Sequence, residues 1–257
     1  MNKYSKYLVT IALVALAVTT FVLFELRNKV LTNDEVINII LGPTIYQLSI
    51  GALFIWLIYI IGDRQYLFFK KINFKQLLWL SPCLLVALVN FPYAGIITGE
   101  VHIFRPDIIA LYALYVISIA LVEELVFRGV LLNVVFSYTR RSRYPYLYAV
   151  LISSAIFAAF HIFNLFEGAT IQGVLMQVGY TFLIGCMFAV IQIKMGCVWY
   201  CVILHALFNF GGLLTFSIAW GNPWDPVFWT LTIVCGLLCA GHIIMTLINL
   251  EKNKYVS

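Results

Sequence analysis

Residues 108–136 read IIALYALYVISIALVEELVFRGVLLNVVF. The run is apolar enough for lipid or a dry core, except at Glu123, Glu124 and Arg128. A charge at the bilayer centre costs roughly 2.5–3.5 kcal/mol on insertion scales, so three charges this close together must be paired, near water or in use. The apolar length sets the fold class, and the charges mark where chemistry is to be sought.

Working outward, 63% of the 257 residues are hydrophobic and 11% are charged, with a mean hydropathy of +0.99. Soluble chains carry about a quarter charged residues, so this is an integral membrane protein. The expected fold is all-α and polytopic, with about eight transmembrane helices of ~20 residues and both termini cytoplasmic. Residues 1–257 then form a single membrane domain with no room for a separate soluble one, and 108–212 form its motif-bearing core. The apolar runs place the spans at 6–26, 37–61, 76–98, 108–136, 146–166, 172–193, 197–218 and 226–250.

Basic residues orient this drawing, because cytoplasmic loops hold the excess of Lys and Arg. Twelve of the 16 fall in the termini and connections assigned inside, among them Arg64, Lys70, Lys71, Arg140, Arg141 and Arg143. Arg27, Lys29 and Arg105 fall outside, and Arg128 is embedded. The acidic residues lean outward, so the net charge of +5 concentrates at the inner face, where anionic lipid accounts for it. Short basic clusters between spans are topology signals and give no reason to invoke nucleic acid.

Lys3 and Lys6 before an apolar run imitate a secretory signal, but that run continues without a polar break, and the first span is read as retained. All six cysteines fall within spans and none forms C-x-x-C, which favours packing over ligation or disulfides. Gly42-Pro43 and Ser81-Pro82 mark kinks, which membrane helices tolerate when neighbours satisfy the freed carbonyls. Trp220 to Pro226 reads as an outer turn with interfacial tryptophans.

Polar residues on three spans are set at helical spacing. Glu124 and Arg128 are i and i+4, about 40° apart around the axis, and can pair on one face, while Glu123 is turned about 100° away. One carboxylate is thereby neutralised and the other left free. Phe157 and His161 on the fifth span, and His205 and Asn209 on the seventh, are also i and i+4, so three helices can present polar groups to one pocket. Singly, each has a structural explanation: an ion pair fixing register, a hydrogen-bonded core histidine, an amide joining helices. His102 and His242, without spaced partners, are read as structural. The joint occurrence of a free carboxylate, two histidines and an amide favours catalysis.

The ordered set E-E-x-x-x-R (Glu123, Glu124, Arg128), F-x-x-x-H (Phe157, His161) and H-x-x-x-N (His205, Asn209) resembles the CPBP family of intramembrane proteases. That family includes CAAX prenyl proteases of the Rce1 type and bacterial Abi proteins linked to bacteriocin self-immunity. The resemblance covers roughly 108–212. It implies an eight-helix membrane endopeptidase in which Glu123 is the general base for water and His161 helps to hold and polarise that water. By the same resemblance His205 and Asn209 stabilise the oxyanion, and Glu124 with Arg128 supports the field around Glu123. The residue types suit peptide hydrolysis, which needs a base and donors aimed at developing negative charge.

A divalent metal such as zinc stays open at this stage, since Glu123, His161 and His205 make a three-ligand set with a fourth position for water. If Glu123 were a ligand, Glu124 would become the alternative base. The implied substrate is a hydrophobic peptide or membrane protein within the bilayer, at the cell (plasma) membrane. The rival readings are a transporter, disfavoured by the lack of an inverted repeat, and a bacteriocin-immunity or binding protein acting by sequestration. Counted from the outer ends, Glu123 lies ~22 Å deep and His161 near the surface, so these helices are expected to tilt or be offset.

Overall fold

The computed structural model describes residues 30–61 and 64–253. Long helices α1 (Glu35–Ile61), α2 (Phe74–Val89), α6 (Pro145–Phe160), α7 (Ile171–Met195), α8 (Val198–Gly212) and α10 (Pro226–Asn253) surround one further continuous helix. That helix begins as a 3-10 turn at Pro106–Ile108 and proceeds as α4 (Ile109–Glu124). It then widens into a π-helical segment (Leu125–Leu131) and ends as α5 (Leu132–Thr139). Short elements complete the order: α3 (Tyr93–Thr98), α9 (Leu214–Ser217), and strands β1 (Val101–Ile103) and β2 (Ala219–Gly221).

The all-α membrane fold expected from composition is present. Among the described residues five helical stretches are long and apolar enough to cross a membrane: Glu35–Ile60, Pro106–Thr139, Pro145–Phe166, Ile171–Met195 and Pro226–Asn253. Phe74–Val89 and Val198–Gly212 are apolar but shorter. The expected span at 6–26 lies outside the described residues.

Two expected spans are interrupted. The run at 76–98 ends as a helix at Val89 and resumes at Tyr93. Pro92 cannot donate to a helix and disfavours helical backbone at Phe91, so the chain breaks there. The run at 197–218 ends its main helix at Gly212 and leads through α9 into β2. These two breaks meet: the Asn90 side-chain amide donates to the Phe208 carbonyl at 2.7 Å. Gly211 packs so closely that an added Cβ would lie 2.5 Å from the Asn90 carbonyl oxygen. Ser81-Pro82, by contrast, sits inside α2, where the Ser81 hydroxyl donates to the Leu78 carbonyl that Pro82 cannot reach.

Contacts between the loops and helix ends sort them into two groups. At one end Arg105 pairs with Asp34 at 2.8 Å, and β1 pairs antiparallel with β2 across Val101 and Gly221. The expected turn at Trp220 is therefore partly a strand, with Trp220 against His102 at 4.6 Å. At the other end the Trp199 indole donates to the Leu67 carbonyl, the Tyr200 hydroxyl to the Lys70 carbonyl, and the Leu147 N–H to Glu251.

The core is in three apolar clusters. One around Tyr112 and Leu214 lies towards the β1–β2 end, one joins α1 to the π segment and α8, and one joins α2, α6, α7, α8 and α10. The polar site sits between the last two.

Candidate active site

Among the described residues, the buried acidic, basic and histidine side chains are Glu124, Arg128 and His205. They form one chain of contacts. Arg128 donates through Nη1 to Glu124 Oε1 at 3.0 Å, and His205 Nδ1 meets the same oxygen at 2.7 Å. The Arg128 Nη2 reaches the Gly185 carbonyl at 3.3 Å, and its guanidinium lies over the Phe157 ring at 4.3 Å and the Phe188 ring at 5.3 Å. The guanidinium is thus held between two ring faces and two oxygens, contacts that replace water in a dry setting.

The local helix form helps to make this pair. Glu124 ends the α-helical part, and the Leu132 N–H bonds to the Phe127 carbonyl five residues back. A wider turn advances each residue by less than 100°, so residue i+4 falls more nearly below residue i than in an α-helix. Such π segments recur at functional sites. Gly185 permits the close packing of α6 on α7, because a Cβ there would meet Ser154 and Phe157 at 3.1–3.3 Å.

Glu123 differs from its neighbour: its side chain keeps 28% of its surface exposed, against none for Glu124. Its Oε2 lies 3.6 Å from His205 Nε2. His205 therefore stands between the two carboxylates, its Nδ1 held by the buried one and its Nε2 turned to the accessible one. The rings of Phe188 and Phe157 confine it at 5.2 and 6.2 Å. Glu124 Oε2 has no hydrogen-bond partner, a buried acceptor of the kind that ordered water satisfies.

His161 follows the last turn of α6. Its Nδ1 donates to the Phe157 carbonyl at 3.0 Å, which leaves Nε2 as the ring's other face, and its ring packs edge-on to Phe157 at 5.0 Å. Glu123 lies 16 residues before Thr139 and His161 lies 16 residues after Pro145. Counted from the shared α5–α6 turn, both sit about 24 Å along their helices, so the mismatch counted from the outer ends disappears.

The structure thus joins Glu123, Glu124, Arg128 and His205 directly, and links His161 to them through Phe157. Asn209 lies one turn beyond His205, partly buried, with its carbonyl accepting from the Tyr112 hydroxyl and its side-chain amide free of hydrogen bonds to described residues. The zinc set that the sequence leaves open is not assembled: no three His, Cys, Asp or Glu among the described residues come close enough to hold one ion. With His205 Nδ1 on Glu124 and His161 Nδ1 on a carbonyl, each ring is oriented through Nδ1 and its Nε2 is left for another partner.

Gly185 and Phe188 carry no role in the sequence reading, and Phe157 enters there only as a motif position. Phe157 could have been found from its place in F-x-x-x-H, but a carbonyl acceptor such as that of Gly185 carries no signal in the sequence.

Compared with known proteins, residues 105–211 match the family model described as type II CAAX prenyl endopeptidase Rce1-like. No curated protein and no solved structure matches the chain.

Proposed function

We propose, from the premise that this chain belongs through residues 105–211 to the Rce1-like family of CAAX prenyl endopeptidases, that Glu123 is the general base of a peptide-bond hydrolysis carried out within the membrane. The family supplies the general class, an intramembrane protease. The residue roles are our reading.

A water beside Glu123 Oε2 gives its proton to that carboxylate as its oxygen attacks the scissile carbonyl. The proton then passes from Glu123 to the departing amine, so the carboxylate is regenerated and one water is consumed per bond. His161 Nε2 holds the water. The tetrahedral oxyanion takes hydrogen bonds from the Asn209 amide and from His205 Nε2–H. Glu124 anchors that ring through Nδ1, and Arg128 fixes Glu124, so the donors need not reorganise during reaction. We take the substrate to be a peptide or protein with an apolar segment that enters from the bilayer, and the location to be the cell (plasma) membrane.

The observation that carries this reading is the unequal environment of the two adjacent glutamates. One is buried and held through Oε1 by Arg128 and His205, while the other is accessible and 3.6 Å from a ring nitrogen whose orientation the first one sets. Neighbouring carboxylates with divergent surroundings divide the roles of base and support.

The test compares membrane peptidomes from cells carrying the intact protein and its Glu123→Gln form, each with and without chelator. Precursors accumulating with Glu123→Gln support the reading, and identical peptidomes refute it. Loss of cleavage with chelator alone would make a metal, not Glu123 alone, the activator of water.

A further inference from the structure

At the turn joining α5 to α6, the chain Arg140, Arg141, Ser142, Arg143 borders a cavity of about 490 Å³. Phe136 and Tyr146 line the same cavity and stack on each other at 5.1 Å, 23° from parallel. Three guanidinium-bearing residues and a stacked aromatic pair therefore line one cavity. The volume falls within the about 300–1,000 Å³ of small-molecule sites.

Arg140 and Arg141 are exposed, and neither has a carboxylate partner among the described residues. The Arg143 guanidinium lies over the Tyr144 ring at 5.2 Å. The Ser142 hydroxyl is buried and has no hydrogen-bond partner, although the turn itself is closed by the Ser142 N–H on the Thr139 carbonyl and the Thr139 hydroxyl on the Pro145 carbonyl. A buried hydroxyl at the floor of an arginine ring calls for an acceptor from outside the chain.

Depth selects the ligand. The turn caps two helices of apolar, membrane-crossing length, and exposed Tyr138, Tyr144 and Tyr148 surround it as interfacial aromatics do. The Lys and Arg count places it on the inner face, where anionic lipid is enriched.

We propose that this turn binds the phosphate of an anionic inner-leaflet phospholipid, with Arg140, Arg141 and the Ser142 hydroxyl as donors and the Phe136–Tyr146 pair beneath the glycerol. The bound headgroup fixes the hairpin whose arms carry Glu123 and His161 at equal distance from the turn. Its binding stands whether or not the protein is a protease.

The test uses the full chain in phosphatidylcholine nanodiscs with increasing phosphatidylglycerol, reading the lipids retained by native mass spectrometry. Arg140→Gln with Arg141→Gln should weaken phosphatidylglycerol retention about 25-fold, about five-fold for each arginine. Ser142→Ala, which leaves the charge count and hence insertion unchanged, should weaken it at least about two-fold. Lys70→Gln with Lys71→Gln, at another inner loop, should leave it unaltered. Equal retention of phosphatidylcholine, or no effect of either turn variant, overturns the proposal. So does displacement of the lipid by glycerol 3-phosphate at equal concentration, which would make this a site for a soluble anion.

Discussion

Removing Arg128 is the sharpest perturbation the structure offers. The Glu124 and Arg128 side chains keep 0% and 2% of their surface exposed, and they meet at 3.0 Å. With Arg128→Met the volume is largely filled, but Glu124 keeps a buried charge whose second oxygen already lacks a partner. Breaking one half of a buried pair costs about 3–5 kcal/mol, whereas replacing both halves by apolar groups is near neutral. At about 2–4 °C per kcal/mol for a chain of this size, Arg128→Met should lower the unfolding midpoint by about 6–20 °C. Glu124→Leu with Arg128→Met should recover most of that loss. Proteolysis should be absent in the double variant, because His205 there loses the Glu124 oxygen that holds Nδ1. Thermal unfolding followed by tryptophan fluorescence in detergent reads the stability, and precursor cleavage in membranes reads the function. A double variant as unstable as the single one would refute the account, since the penalty could not then come from the stranded carboxylate.

Other perturbations separate the roles further. Glu123→Gln should slow cleavage by about 10²–10⁴-fold while shifting stability by less than about 1 kcal/mol, as single-turnover kinetics and unfolding of one preparation would show. Asn209→Ala should lower kcat by about 10²–10³-fold with little change in KM, the signature of a donor used in the transition state. Gly211→Ala should cost about 1–3 kcal/mol in unfolding, since its Cβ would meet the Asn90 and Phe91 backbone at 2.5–2.6 Å. Asp34 lies outside the spans, and its carboxyl is held below the usual value chiefly by the Ile37 N–H and also by Arg105. A carboxyl whose pKa is lowered by folding stabilises above its unfolded value of about 3.9 and loses that contribution as pH falls through the folded one. The stability gap between the native chain and Asp34→Asn should therefore be constant above about pH 5 and narrow in stronger acid, measured as unfolding midpoints across pH.

Much of the fold was legible because lipid imposes a simple rule: long apolar runs must be helices, and charge must sort to their ends. Residues 108–136 announced their helix, and i,i+4 spacing placed Glu124 within reach of Arg128. The interruptions were less visible. Nothing in LVFRGVL distinguishes a π segment from an α-helix, since the change is in backbone register, not in residue type. The strands at Val101–Ile103 and Ala219–Gly221 are three residues each, too short for alternation to register. The run at 197–218 is apolar throughout, and its helix stops at Gly212 because another backbone presses against it, which is information held elsewhere in the chain.

The site was legible by type and less so by role. Motif spacing put His205 and Asn209 together as donors, but the contact between His205 and Glu124 spans 81 residues of sequence and has no local signature. That contact changes how the glutamate pair is to be understood. Glu124 does more than neutralise Arg128: it fixes the ring that faces Glu123, so the free carboxylate is placed relative to a histidine on another helix by its own neighbour. Two adjacent residues on one helix point about 100° apart and cannot share a single task. The proposed division of roles within the E-E pair rests on that difference: Glu124 Oε1 holds His205 Nδ1 at 2.7 Å, and Glu123 Oε2 faces His205 Nε2 at 3.6 Å.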